Sequence, residues 1–217
     1  MKKAYFCIDG FSFKRINDFY KYEHKRHSRL NIASLETYLR YEIVRRLEWN
    51  SDSEELDIEK HFYHPSESPR RAFYKNDVKD SILRFEKNLI DCGYNVHYSG
   101  RANALEPKPN KNIFTDWIIA KALRKYDLFI LLTTQGQYAN ILKQTKQCKT
   151  QSLLIGWDSL CKNSEGMDSR WKTDKSLIAY AGVYCPLEKT LNQSKCTFAD
   201  VMFEKSCPSY PSNLLYG

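Results

Sequence analysis

Five short apolar runs punctuate the first part of the chain, and between them lie segments whose apolar residues recur three and four positions apart. The runs are Ala4–Ile8, Ile58–Tyr63, Tyr94–Tyr98, Leu128–Leu132 and Ser152–Ile155, each of strand length. Ser34 stands where a cap is needed before Leu35, Tyr38, Leu39, Ile43 and Leu47, which share one helical face. Asp77 precedes Val78, Ile82, Phe85 and Leu89 in the same way, and Gly93 closes that helix. Thr115 or Asp116 is the expected start of a helix over "DWIIAKALRKY", and Gln137–Lys146 is expected to be helical. "LFILL" is apolar at every position, which suits a strand at the centre of a parallel sheet covered on both faces. Strands alternating with helices imply right-handed crossovers. The expected fold is therefore α/β, a doubly wound, mainly parallel sheet of five to six strands.

Two stretches interrupt this order. Residues 13–31, "FKRINDFYKYEHKRHSRLN", form an insertion between the first strand and its helix that is longer than most such loops. Residues 99–111, "SGRANALEPKPNK", form a second loop. Beyond residue 158 the regular pattern weakens. The expected organisation is one domain over residues 1–158 and a C-terminal extension, 159–217, packed on it. No internal repeat or low-complexity tract is present.

The length of 217 residues suits one α/β domain with a real core, or such a domain with an appendage. Charge changes the picture more than size does. The formal net charge of +8 favours a polyanionic partner, although a merely basic surface would carry it too. No apolar run approaches the ~20 residues needed to span a bilayer, and Asp9 ends the first run too soon for a signal peptide, so no membrane is expected as partner. The seven cysteines are odd in number and form no CxxC pair, which suggests neither a zinc knuckle nor a disulfide framework. A reducing cytoplasm is the expected location. His24 and His27 belong to the basic surface, and His61 and His64, three apart in a strand, point to opposite faces.

The candidate chemistry gathers at one edge of the sheet. Open parallel sheets bind ligands outside the carboxyl ends of their strands, where strand order reverses. Asp9 follows the first strand directly, "TTQGQY" follows the fourth, and Asp116 lies in the first turn of the helix before it. A carboxylate in that position must bind a cation, cap a helix or pair with a base. Asp9 as a turn residue before Gly10, and Asp116 as a charge at a helix N-terminus, remain the alternatives to an acidic site. "FCIDGFS" echoes the opening motif of haloacid-dehalogenase-like phosphatases, but the nucleophile's position is Cys7, which cannot form an aspartyl phosphate.

Residues 4–158 resemble the NYN family of PIN-like nucleases, in its LabA-like branch. "AYFCIDG" is similar to the family's opening strand, "RRAFYKN" (70–76) to its second-strand stretch and "LIDCGYNVHYSG" to its third. "TDWIIAKAL" is similar to the start of its acidic helix, and "DLFILLTTQGQY" followed by "SLLIGWDS" to the remainder. The resemblance implies strand order 3-2-1-4-5 and an acidic cluster that holds Mg²⁺ or Mn²⁺ to cleave RNA phosphodiesters. Asp9 and Asp116 match two of the family's metal-site acids and are the implied catalytic and metal-binding residues. The family's other acids are missing. Gln135 and Gln137 replace two aspartates, Ser12 an asparagine and Ala122 a further acid. Glutamine offers a neutral carbonyl, removes a unit charge and cannot act as a base. Ser12, Thr134, Gln135 and Gln137 are the implied auxiliary or substrate-contacting residues.

Nucleic-acid binding has separate support. Residues 13–31 carry Lys14, Arg15, Lys21, Lys25, Arg26 and Arg29, interleaved with Phe13, Phe19, Tyr20 and Tyr22. Cations bind phosphates while aromatic faces stack on unpaired bases. Arg101, Lys108 and Lys111 would furnish the opposite wall. The alternative is an amphipathic helix with its aromatics in the core. Two functions follow. One is a Mg²⁺- or Mn²⁺-dependent endoribonuclease with a reduced acidic site, acting on RNA. The other is an inactive pseudonuclease that binds nucleic acid without a cofactor, or a protein-interaction module working as a homodimer or through Trp171, Tyr180 and Tyr184 of the extension.

Overall fold

The computed structural model describes residues 2–24, 26–47, 49, 56–65, 68, 76–98, 111–122, 126–162, 168–192 and 201–204. The five expected runs are strands β1 (Lys2–Asp9), β2 (Leu56–His64), β3 (Tyr94–Tyr98), β4 (Leu128–Leu132) and β5 (Gln151–Gly156). Past them come β6 (Ser159–Lys162), β7 (Asp168–Trp171) and β8 (Val183–Pro186). Six strands form one sheet in the order β3-β2-β1-β4-β5-β8, and every neighbouring pair is parallel. β6 and β7 make a separate antiparallel ribbon. The helices are α1 (Gly10–Asp18), α2 (Ser34–Leu47), α3 (Asn76–Asp91), α4 (Lys111–Ala122), α5 (Ala139–Gln147), α6 (Lys175–Tyr180) and α7 (Leu187–Leu191).

Because side chains alternate across a strand, a sheet covered on both faces needs apolar residues at every position. The central strands meet that condition. Ala4, Phe6 and Ile8 of β1 and Leu128, Ile130 and Leu132 of β4 enter one layer, with Phe13 and Ile16 of α1 and Leu35, Tyr38, Leu39 and Ile43 of α2. Tyr5, Cys7, Phe129 and Leu131 enter the other, with Ile113 and Trp117 of α4 and Ile141 and Leu142 of α5. The fold is thus a doubly wound α/β sheet.

Three expectations give way. The segment after β1 is not a loop insertion: α1 begins at Gly10 itself and runs into a π-helical turn, Phe19–Glu23. Phe13, Phe19 and Tyr20 are 2%, 8% and 0% exposed, so burial of these rings in the core, rather than base stacking, organises the segment. Second, α4 starts at Lys111, and Asp116 lies mid-helix instead of in its first turn. The buried positions Ile113, Trp117 and Ala120 explain this, since their helical spacing extends one turn upstream of the capping residues seen in sequence. Third, residue 158 does not mark the end of the sheet. β8 pairs with β5, and Leu187, Leu191, Met202 and Phe203 of the expected extension are core residues. A four-residue strand reading "VYCP" has too little alternation to be recognised locally. Trp171, Tyr180 and Tyr184 are correspondingly half-buried against the two core layers.

Gly10 permits the sharp passage from β1 to α1. A Cβ there would lie 2.6 Å from the Tyr63 carbonyl oxygen and 2.9 Å from Pro65 Cδ. Gly10→Ala is therefore expected to destabilise the protein by about 1–3 kcal/mol through overpacking, read as a lower midpoint in urea.

Candidate functional site

β1 has β2 on one side and β4 on the other, so strand order reverses between β1 and β4. Doubly wound sheets bind ligands in the crevice outside the carboxyl ends at such a point. Asp9 ends β1 there and caps α1, accepting hydrogen bonds from the backbone N–H of Phe11 (3.3 Å, Oδ1) and Ser12 (3.4 Å, Oδ2). Its Oδ2 also accepts from Ser12 Oγ at 2.7 Å and Thr133 Oγ1 at 3.0 Å. Asp9 is 3% exposed. Burial pushes its carboxyl above the usual range, against the pull of the Ser12 and Thr133 hydroxyls and the two N–H groups. The neighbouring donors also turn inward: Thr134 N–H donates to Ser12 Oγ at 3.0 Å and Gln135 N–H to Thr133 Oγ1 at 3.1 Å. A further carboxylate, Asp174, crosses to this loop from the start of α6 and lies against Gly136. Its Oδ1 is engaged by the N–H and hydroxyl of Ser176, which hold its carboxyl below the usual range.

Asp116 belongs to another network. The Tyr63 hydroxyl donates to its Oδ2 at 2.9 Å, and His97 Nδ1 lies 3.6 Å from the same oxygen. Tyr63 is the ladder partner of Asp9, but its hydroxyl reaches back to within 3.2 Å of the Tyr5 hydroxyl. Asp116, on α4, is thereby tied to the face of the sheet, and its hydrogen-bond partner is not one of those of Asp9.

The network continues through two histidines. His61 Nδ1 and His97 Nε2 are 2.9 Å apart, and His61 Nε2 is 3.1 Å from Glu59 Oε1. Tyr126 donates to the other oxygen of Glu59. An ionised carboxylate only accepts, so His61 carries its proton on Nε2 and accepts from His97 through Nδ1. Burial pushes His61 down to about 4, the nearby His97 adds to this, and Glu59 opposes it. Burial lowers His97 as well, against the pull of Asp116. His64 points the other way, with its ring 5.2 Å from that of Tyr98.

The remaining candidate residues are scattered over this framework. Ser12 is fully buried between Asp9 and Thr134, and the Ser12 and Thr134 hydroxyl oxygens lie 3.2 Å apart. Gln135 is half-buried and Gln137 exposed. Lys14 pairs with Asp18 at 2.6 Å, and Lys21 donates to the Tyr22 hydroxyl. The Arg15 guanidinium lies between the rings of Phe11 (4.6 Å) and Trp171 (3.7 Å). Arg26 lies over Phe203, and Arg29 is exposed. Lys111 opens α4, whereas Lys25, Arg101 and Lys108 lie outside the described residues, as do residues 70–75.

Sequence reasoning passed over Thr133, His97 and Glu59. Thr133 adjoined the residues singled out, but nothing local distinguished its hydroxyl from that of Thr134. His97 and Glu59 become a unit with His61 only once the β1–β2–β3 register is known.

The donor set does not fit Mg²⁺ or Mn²⁺ between Asp9 and Asp116. Such ions take oxygen ligands in near-octahedral geometry and dehydrate reluctantly. Asp9 Oδ2 already accepts three protein hydrogen bonds, and Asp116 Oδ2 accepts from the Tyr63 hydroxyl. Gln135 and Gln137 supply no charge.

No family model matches the chain, and no curated protein matches it. Among solved structures, the chain is similar to a protein of unknown function, VPA0982, from Vibrio parahaemolyticus RIMD 2210633. The identity is 14%, the TM-score is 0.52, and the match covers 86% of this chain and 93% of that one. At that identity the likeness is one of fold. Among the described residues, no helix is long and apolar enough to cross a membrane.

Proposed function

We propose that this chain is an RNA-binding protein of NYN/PIN-like descent in which the acidic crevice holds the fold together and does not turn over substrate. The strand order β3-β2-β1-β4-β5 is the one the family resemblance implies. The observation that carries the inactive reading is the state of Asp9. Its oxygens serve the cap of α1 and the Ser12 and Thr133 hydroxyls, and glutamines, Gln135 and Gln137, stand where the family resemblance implies two further carboxylates. RNA is favoured as the partner by the net charge of +8 and by the basic residues around α1 and the π-helical turn.

The test is a labelled, largely single-stranded RNA incubated with Mn²⁺, Mg²⁺ or EDTA, using wild type, Asp9→Asn and Asp116→Asn, with binding measured on the same samples. The expected result is no cleavage by any sample, and binding that weakens steeply with salt in all three. Cleavage that EDTA and either substitution abolish would instead establish a metal-dependent endoribonuclease. Salt-insensitive or absent RNA binding would favour a protein-interaction module.

A further inference from the structure

The family resemblance ends near residue 158, yet the chain beyond it returns to the carboxyl edge of the sheet. β6 begins just past β5, and the chain after β7 is fastened back to the same edge: Trp157 N–H donates to Thr173 Oγ1 and Thr173 N–H to Asp158 Oδ1, both at 2.8 Å. Trp171 pins the ribbon to α1, stacking on Arg15 and meeting Trp157 edge-on at 6.2 Å. With Trp171 directed inward, alternation along β7 sends Arg170 and the following Lys172 outward. Both are exposed, and Leu160, the ladder partner of Arg170, is 65% exposed. β6 also packs against the π-helical turn, which carries Lys21 and the 42%-exposed Tyr22, with the Lys21 ammonium 4.4 Å from the centre of the Tyr22 ring.

Among the described residues, some of the charge elsewhere is answered by carboxylates. Glu36 binds Arg40 and Lys60, and Glu42 binds Arg45 and Arg46. The exposed Lys143, Lys146 and Lys149 at α5 form another basic group, but the apolar residues of that helix, Ile141 and Leu142, are buried. The outer face of the ribbon, by contrast, combines cations with exposed apolar and aromatic groups.

Resting on the RNA-binding reading above, we infer that single-stranded RNA lies across the outer face of the β6–β7 ribbon, with Lys21, Arg170 and Lys172 on phosphates and Tyr22 and Leu160 against bases. Cations along a backbone path with aromatic platforms beside it are the chemistry that holds unpaired strands. Arg15 and Trp171 are positioning residues that fix the ribbon against α1.

The test is anisotropy of a fluorescein-labelled oligouridylate over a salt series, with thermal unfolding confirming that each variant is folded. Arg170→Ala/Lys172→Ala is expected to reduce the slope of log affinity against log salt by about 1.4, which is about 0.7 for each phosphate no longer neutralised. Arg170→Lys/Lys172→Arg should keep the wild-type slope. Tyr22→Ala should weaken binding about tenfold without changing the slope. Lys143→Ala/Lys146→Ala, which removes equal charge at α5, should leave both quantities near wild type. The assignment is overturned if the ribbon alanine pair binds as wild type does, or if the α5 pair weakens binding as much. Those outcomes leave the RNA-binding reading standing, whereas a wild type without salt-dependent binding overturns both.

Discussion

Asp9→Ala is expected to lower the free energy of unfolding by about 3 kcal/mol. Loss of an N-cap costs about 1–2 kcal/mol, and a buried polar group left without a partner costs about 1–3 kcal/mol. Both bear on Asp9, which caps α1 and is the acceptor of the buried Ser12 and Thr133 hydroxyls, whose other hydroxyl neighbours are each other and Thr134 at longer distances. The check is urea denaturation, with an unchanged slope showing that the loss is one of stability alone. Asp9→Asn should lose less, since its carbonyl oxygen still accepts from Thr133 or Ser12. A loss below about 1 kcal/mol for the alanine variant would show that the carboxylate does not hold the crevice. The carboxyl's own titration has a definite sign. Its folded value is raised, so the contribution is present below the unfolded range and is lost as pH rises through the folded value.

Acidification should act through His61 in the opposite sense. His61 is 6% exposed and lowered from 6.5 to about 4. Between those values the unfolded chain takes up a proton that the folded one refuses, so stability falls with falling pH. The full loss from this site is on the order of 3 kcal/mol, complete once pH drops below about 4. His97, also lowered, adds to the decline. Denaturation series between about pH 7 and pH 4 measure the effect, and His61→Gln should flatten the profile over the upper part of that range. Imidazole resonances of His61 titrating in the ordinary range would sink the explanation, because burial of the His61 ring between the half-buried Glu59 and His97 would then not exclude the proton.

A large part of the fold was legible in the chain because its cause is local. Tyr5 and Phe6, neighbours in sequence, serve opposite core layers, and only a strand with both faces covered places two large rings side by side in this way. The same holds for "LFILL", whose residues are all fully buried. Where the signal was local but ambiguous, tertiary packing chose. Thr115 and Asp116 look like caps, yet Ile113 fits the buried face of α4 and carries the helix upstream past them. The aromatics at 13, 19 and 20 are compatible with stacking on bases or with a core, and the layer beneath α1 takes them.

The site was less legible than the fold. Asp9 and Asp116 were recognised as carboxylates at notable places, but what each one binds was not in their neighbourhood. Asp9 meets Thr133 across 124 positions, and Asp116 meets Tyr63 across 53. β8 presents the same problem at the level of an element, since its four residues become a strand only by pairing along the edge of β5.

By itself, then, the sequence determined where the strands β1–β5 and the helices α2, α3 and α5 lie, and that the sheet is mainly parallel and covered on both faces at its centre. Those properties follow from periodicities of two and 3.6 residues, which any short window contains. Only the tertiary structure decided that Asp9 Oδ2 accepts from Ser12 and Thr133, that Asp116 lies beside a histidine pair, and that β8 completes the sheet. A carboxylate's chemistry depends on which donors the folded chain brings to its lone pairs, and that is settled by register and burial between segments far apart in sequence.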